Sequence, residues 1–94
     1  TALMYAAAYN QLDVVISLMN HPGIDLNVQG GWNNTALHHA VDNNHPAIVS
    51  QLLSDDKMDA SLKDNDNKTA LKYAIDWGRA ECVTILRQHG APVY

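Results

Sequence analysis

Between Thr35 and His45 the chain reads TALHHAVDNNH, placing three histidines and an aspartate within eleven residues. Imidazole and carboxylate groups this close could ligate a metal ion or exchange protons. A helical reading separates them. His38 and His39 are sequence neighbours and project about 100° apart around a helix axis, so they do not readily share one ion. His39 and Asp42 are better spaced at i and i+3, but a zinc site needs a third and a fourth ligand, and no cysteine or further histidine falls in register. The run DNDNK from Asp64 to Lys68 opens like a calcium loop. Such a loop needs Gly at its sixth position and a bidentate Glu at its twelfth, and those places hold Thr69 and Ile75. Asn33-Asn34-Thr35 and Asn67-Lys68-Thr69 spell glycosylation sequons, which read as accidents of an Asn standing where a turn is wanted. Cys82 lies in an apolar helical pattern and reads as a small buried hydrophobe rather than a nucleophile. No Ser-His-Asp set or phosphate-cradling glycine loop can be assembled. The expectation is therefore a non-enzyme, with no metal and no cofactor.

Composition narrows the partners. The 94 residues make one small domain with formal net charge -4, and the basic residues (Lys57, Lys63, Lys68, Lys72, Arg79 and Arg87) read as scattered. Phosphate binding needs clustered cations, so nucleic acid is not expected. A single cysteine forms no internal disulfide and suits a reducing, intracellular and cytoplasmic setting. No apolar run approaches a membrane span. The chain opens inside a motif at Thr1 without an initiating Met, so it reads as a fragment of a longer array.

The elements that would position these residues emerge from repetition. TALMYAAAYN at Thr1, TALHHAVDNN at Thr35 and TALKYAIDWG at Thr69 start 34 residues apart. Ala6, Ala40 and Ala74 align, as do Val15, Val49 and Val83, and Leu18, Leu52 and Leu86. Each unit reads as two short helices and a polar connection. Leu37, Ala40 and Val41 share one face of the first helix, with the small Ala allowing close approach. Thr35 can cap that helix. Asn10-Gln11, Asn44-His45 and Gly78-Arg79 break the pattern with residues that tolerate the left-handed turn ending a helix. Pro46 then opens an apolar second helix, PAIVSQLL. Two helices this short close no core alone; stacked copies do, which is the logic of a solenoid.

These residues resemble ankyrin repeats, whose signature is a Thr-Pro-Leu-His opening, a helix break, an apolar second helix and a Gly-Ala-Asp-Val-Asn turn. TALHHAV gives the opening with Ala36 in place of Pro, IVSQLL and VTILRQHGA give the second helix and its end, and GIDLN, MDASL and GAPVY stand at the turn. Met4 and Lys72 replace the signature His, and the connection after each of the first two units is one residue longer than usual. The resemblance implies an all-α repeat solenoid of stacked helix-turn-helix units with hairpin-like loops, spanning 1–94 as repeats 1–34, 35–68 and 69–94. It implies structural roles for His38, tying helix to loop, and for His45, at the helix break. It also places Asn27 at a turn position that is hydroxylated in some members.

The resemblance further implies a protein–protein interaction scaffold, with the first helices lining a concave surface. The columns that vary between copies are Tyr5, His39 and Tyr73; Ala8, Asp42 and Asp76; and Tyr9, Asn43 and Trp77. They fall at i, i+3 and i+4 and share a face. The expected partner-binding residues are Tyr5, Tyr9, His39, Asp42, Asn43, Tyr73, Asp76 and Trp77, together with Trp32 at a loop tip. Trp32 either folds back over Val28 or a neighbouring loop, or meets the partner. Asp42 and Asp76 point to a partner with basic residues. The apolar first unit points to a preceding repeat or to self-association through an exposed terminal face, while Arg87 and Gln88 give the last unit the character of a polar cap. A second reading is a targeting or regulatory segment of a larger enzyme or of a host-directed bacterial effector.

Overall fold

Each threonine of the repeated Thr-Ala-Leu triplet starts a helix. The Thr1 hydroxyl accepts from the Met4 amide at 3.1 Å, Thr35 from His38 at 3.3 Å and Thr69 from Lys72 at 3.2 Å, satisfying one of the donors orphaned at each helix start. The computed structural model describes residues 1–94 as six helices: α1 (Ala2–Ala8), α2 (Leu12–Met19), α3 (Ala36–Asp42), α4 (Pro46–Leu53), α5 (Ala70–Asp76) and α6 (Ala80–Gln88).

The break between the helices of each unit is a left-handed residue: Asn10 at φ 57°, Asn44 at φ 56° and Gly78 at φ 66°. Around Asn44 the chain closes a Schellman motif, with the Asn44 amide donating to Val41 and the His45 amide to Ala40 at 2.8 Å. Gly78 and Arg79 repeat it on Ile75 and Ala74. The three aligned alanines therefore act twice. Their carbonyls anchor the reversals at Gln11, His45 and Arg79, and their methyl groups, at most 1% exposed, let neighbouring helices approach closely.

The first helices α1, α3 and α5 pack side by side in one row, the second helices α2, α4 and α6 in another, and each unit joins the two rows. Leu37, Ile48, Leu52, Leu71 and Leu86 fill the space between them, each almost fully buried and each contributing about 1.5–3 kcal/mol by removal from water. The second-helix column shows how the stack works. Ile48 and Cys82 are fully buried, whereas Val14, their equivalent in the first unit, is 43% exposed. That column is covered by the preceding unit.

The connections form no strand, but they are hairpin-like. The Gly30 amide donates to the Asn34 carbonyl at 2.8 Å across a turn that ends on left-handed Asn33, and Asp64 with Lys68 repeats this across left-handed Asn67. Asp64 closes its own turn by accepting from the Asp66 and Lys68 amides, so the DNDNK run is a self-capped reversal. The last residues fold back as well, with the Thr69 hydroxyl donating to the Pro92 and Val93 carbonyls.

Candidate functional site

The histidines divide into framework and surface. His38 is buried; its Nε2 lies 2.9 Å from the Lys68 carbonyl, which can only accept, so Nε2 carries the proton. Nδ1 is then free to accept the Thr35 amide at 3.2 Å, completing a capping box. His38 thus ties its own helix start to the following connection. His45 does related work between units, with Nε2 3.1 Å from the Ala8 carbonyl. Asn27 engages both ends of its amide, donating to the Lys57 carbonyl and accepting from the Asp59 amide, each at 2.8 Å, so it rivets the first connection to the second. Gln29 adds a bond to the Lys63 carbonyl, and the Trp32 carbonyl accepts from the Asn65 amide. No group of three or more His, Cys, Asp or Glu residues is arranged to hold a metal ion.

The expected partner-binding residues on the first helices fall into two clusters. The first lies between α1 and α3, where Tyr5, Tyr9, His39 and Asn43, with Thr1, Met4 and Ala8, line an open pocket of about 460 Å³. The rings of Tyr5 and Tyr9 sit 4.5 Å apart, tilted by 36°, and both residues are well exposed. Asn43 donates to the His39 carbonyl from its own side chain. Partial burial pulls the His39 imidazole below its ordinary value, with the Asp42 carboxylate opposing that pull.

The second cluster lies between α3 and α5. The Tyr73 hydroxyl donates to the Asp42 carboxylate at 2.8 Å, and the Tyr73 ring stacks on Trp77 at 5.9 Å. Burial first, and then the Asp42 hydrogen bond, push the Tyr73 phenol up to about 12. Asp76 is bridged by Lys68 and Lys72, each at 2.9 Å, and these two cations hold its carboxyl below the usual carboxylate range. The Arg79 guanidinium donates to the Asp42 carbonyl.

This arrangement corrects the expectation of a groove made acidic by Asp42 and Asp76. Asp76 is compensated in place, Asp42 is hydrogen-bonded by Tyr73, and Lys68, Lys72 and Arg79 all stand in the same cluster. Sequence reasoning missed these three cations as part of the face. The Lys72–Asp76 spacing of i and i+4 was a readable signal; the Lys68 and Arg79 contacts had none. The basic residues are also not scattered. None precedes Lys57, so the first unit and most of the second carry no Lys or Arg.

Trp32 is 73% exposed at its loop tip and does not fold back as a core residue. Cys82 is fully buried, and burial pushes its thiol up, away from the thiolate a nucleophile needs. No helix is long and apolar enough to cross a membrane.

A family model described as ankyrin repeats, in three copies, matches residues 3–94. Among solved structures, the chain is similar to one in the complex of the Bd0816 predatory endopeptidase from Bdellovibrio bacteriovorus with immunity protein Bd3460. The TM-score there is 0.88 at 34% identity, over 98% of this chain and 47% of that one. It is also similar to the human ASB11 ankyrin repeat domain, with a TM-score of 0.85 at 27% identity, over 98% of this chain and 41% of that one. The chain thus spans less than half the length of either. No curated protein matches it in sequence.

Proposed function

The chain belongs to the ankyrin repeat family, and we propose that it is a protein-binding scaffold whose partner lies across the first-helix face and reaches the Trp32 loop tip. Ankyrin repeat domains are typically non-catalytic binding modules, and the similar Bdellovibrio structure is itself a complex between two proteins. One observation carries the reading for this chain. The repeated columns Leu3/Leu37/Leu71 and Ala6/Ala40/Ala74 are buried and the repeated threonines cap the first helices, whereas two columns that vary expose Tyr5, Tyr9, Asn43 and Trp77 along one row of helices. Exposed aromatic rings on a rigid frame are the usual anchors of an interface, because they offer area at little entropic cost.

The test is affinity capture compared across variants. A polypeptide retained by the wild type should be lost by a Trp32→Ala/Trp77→Ala variant, and kept by Ser50→Arg, which alters an exposed position on α4 instead. Truncating an aromatic anchor of this kind weakens binding by about 2 kcal/mol or more. Loss by Ser50→Arg with retention by the double variant would place the partner on the second helices and reject the reading.

A further inference from the structure

The pair of aromatic rings on α1 has a counterpart on α5. Tyr5 aligns with Tyr73 and Tyr9 with Trp77, each pair at i and i+4, with ring centroids 4.5 Å and 5.9 Å apart. Their surroundings differ in one respect. The α5 pair is supplied with cations by its own chain: the Lys68 ammonium stands 6.0 Å from the Tyr73 ring centroid, and Lys72 and Arg79 lie in the same cluster. The α1 pair has no lysine or arginine of its own unit beside it. No Lys or Arg occurs before Lys57, while Asp13, Asp25, Asp42, Asp55 and Asp56 all fall in that stretch.

We propose that the pocket between α1 and α3 is a subsite for a cationic side chain, arginine or lysine, of the protein partner, seated against the rings of Tyr5 and Tyr9. It deepens the scaffold reading above and rests on it.

Three features support it. The ring faces carry the negative end of the aromatic quadrupole and attract a cation placed over them. The pocket is open at about 460 Å³, and its floor and rim (Met4, Ala8, His39 and Asn43) offer apolar contact for an aliphatic stem with polar groups at the edge, the division a long basic side chain needs. Finally, the Asp42 carboxylate acts on His39, one of the lining residues, in the direction that favours a positive charge there.

The probe is acetyl-arginine amide, with acetyl-citrulline amide as its neutral isostere, titrated into the folded chain and followed by amide chemical shifts. Saturable shifts at Tyr5, Tyr9, His39 and Asn43 are expected with the arginine probe. Binding should be about threefold or more weaker for citrulline, and weaker by a similar factor in Tyr5→Leu/Tyr9→Leu, as expected for an exposed cation–π contact. Both tyrosines are exposed, so the double variant keeps the fold, which circular dichroism checks. Equal binding of the two probes, indifference to the double variant or the absence of saturable shifts would overturn the proposal. If Trp32→Ala/Trp77→Ala still loses the captured partner while the arginine probe fails, the scaffold reading stands and only the subsite falls.

Discussion

Replacing His38 with Ala tests the central joint of the fold. The imidazole makes three contacts: Nδ1 with the Thr35 amide and hydroxyl, and Nε2 with the Lys68 carbonyl at 2.9 Å. Their losses are unequal. The Lys68 carbonyl keeps a second donor, the Asp64 amide, so it forfeits only a net hydrogen bond of about 1 kcal/mol. The Thr35 amide is buried with its residue and loses its acceptor, which costs about 1–3 kcal/mol. With the space left by the ring, His38→Ala should destabilise the domain by about 3 kcal/mol. A domain of this length has a total stability of about 5–14 kcal/mol, so the loss is large. Urea unfolding followed by circular dichroism measures it through the midpoint at unchanged slope. His38→Met, which copies the chain's own Met4 in the same column, refills the volume without the bonds and should recover only about 1 kcal/mol. Hydrogen exchange should show the Thr35 and Asp64 amides losing protection first. A loss below about 1 kcal/mol for His38→Ala, or full stability for His38→Met, would refute the argument that hydrogen bonding rather than packing holds this joint.

Three further outcomes follow from the face and the core. Tyr73 should ionise near pH 12 in a spectrophotometric titration, and because its folded pKa of about 12 lies above the ordinary 10.0, the stability it contributes is complete below pH 10 and is lost as pH rises toward 12. Asp42→Asn should lower that pKa without restoring 10, since burial is the larger cause; a return to 10 would show the carboxylate to be the dominant one. Cys82 should react with an aromatic disulfide reagent only as fast as the domain opens, and stoichiometric reaction within seconds under native conditions would contradict its burial in the α4–α6 contact.

The positions of the helices were legible in the sequence because their causes are local. The Thr caps, the left-handed Asn and Gly breaks, Pro46 and the apolar columns each act within a few residues, and the 34-residue period states them three times over. Helical spacing placed the variable columns on a common face, and the resemblance to ankyrin repeats supplied the framework role of His38. Local spacing did not reveal the electrostatics of that face. Asp76 read as a free carboxylate, yet Lys68 arrives from beyond the Thr69 cap to join Lys72 on it.

What the sequence determined, then, is the repeat and the side of each helix that meets water. Only the stacked structure decided which surface groups are already engaged with one another and which are left for a partner. Tyr73 reaches Asp42 from 31 residues away, Arg79 reaches its carbonyl from 37, and Asn27 reaches Lys57 from 30. Hydrogen bonds and ion pairs between neighbouring units exist within a few tenths of an ångström, and no spacing along the chain encodes that distance. The packing of one unit on the next sets it, and with it the contrast between the cation-filled aromatic pair on α5 and the open one on α1.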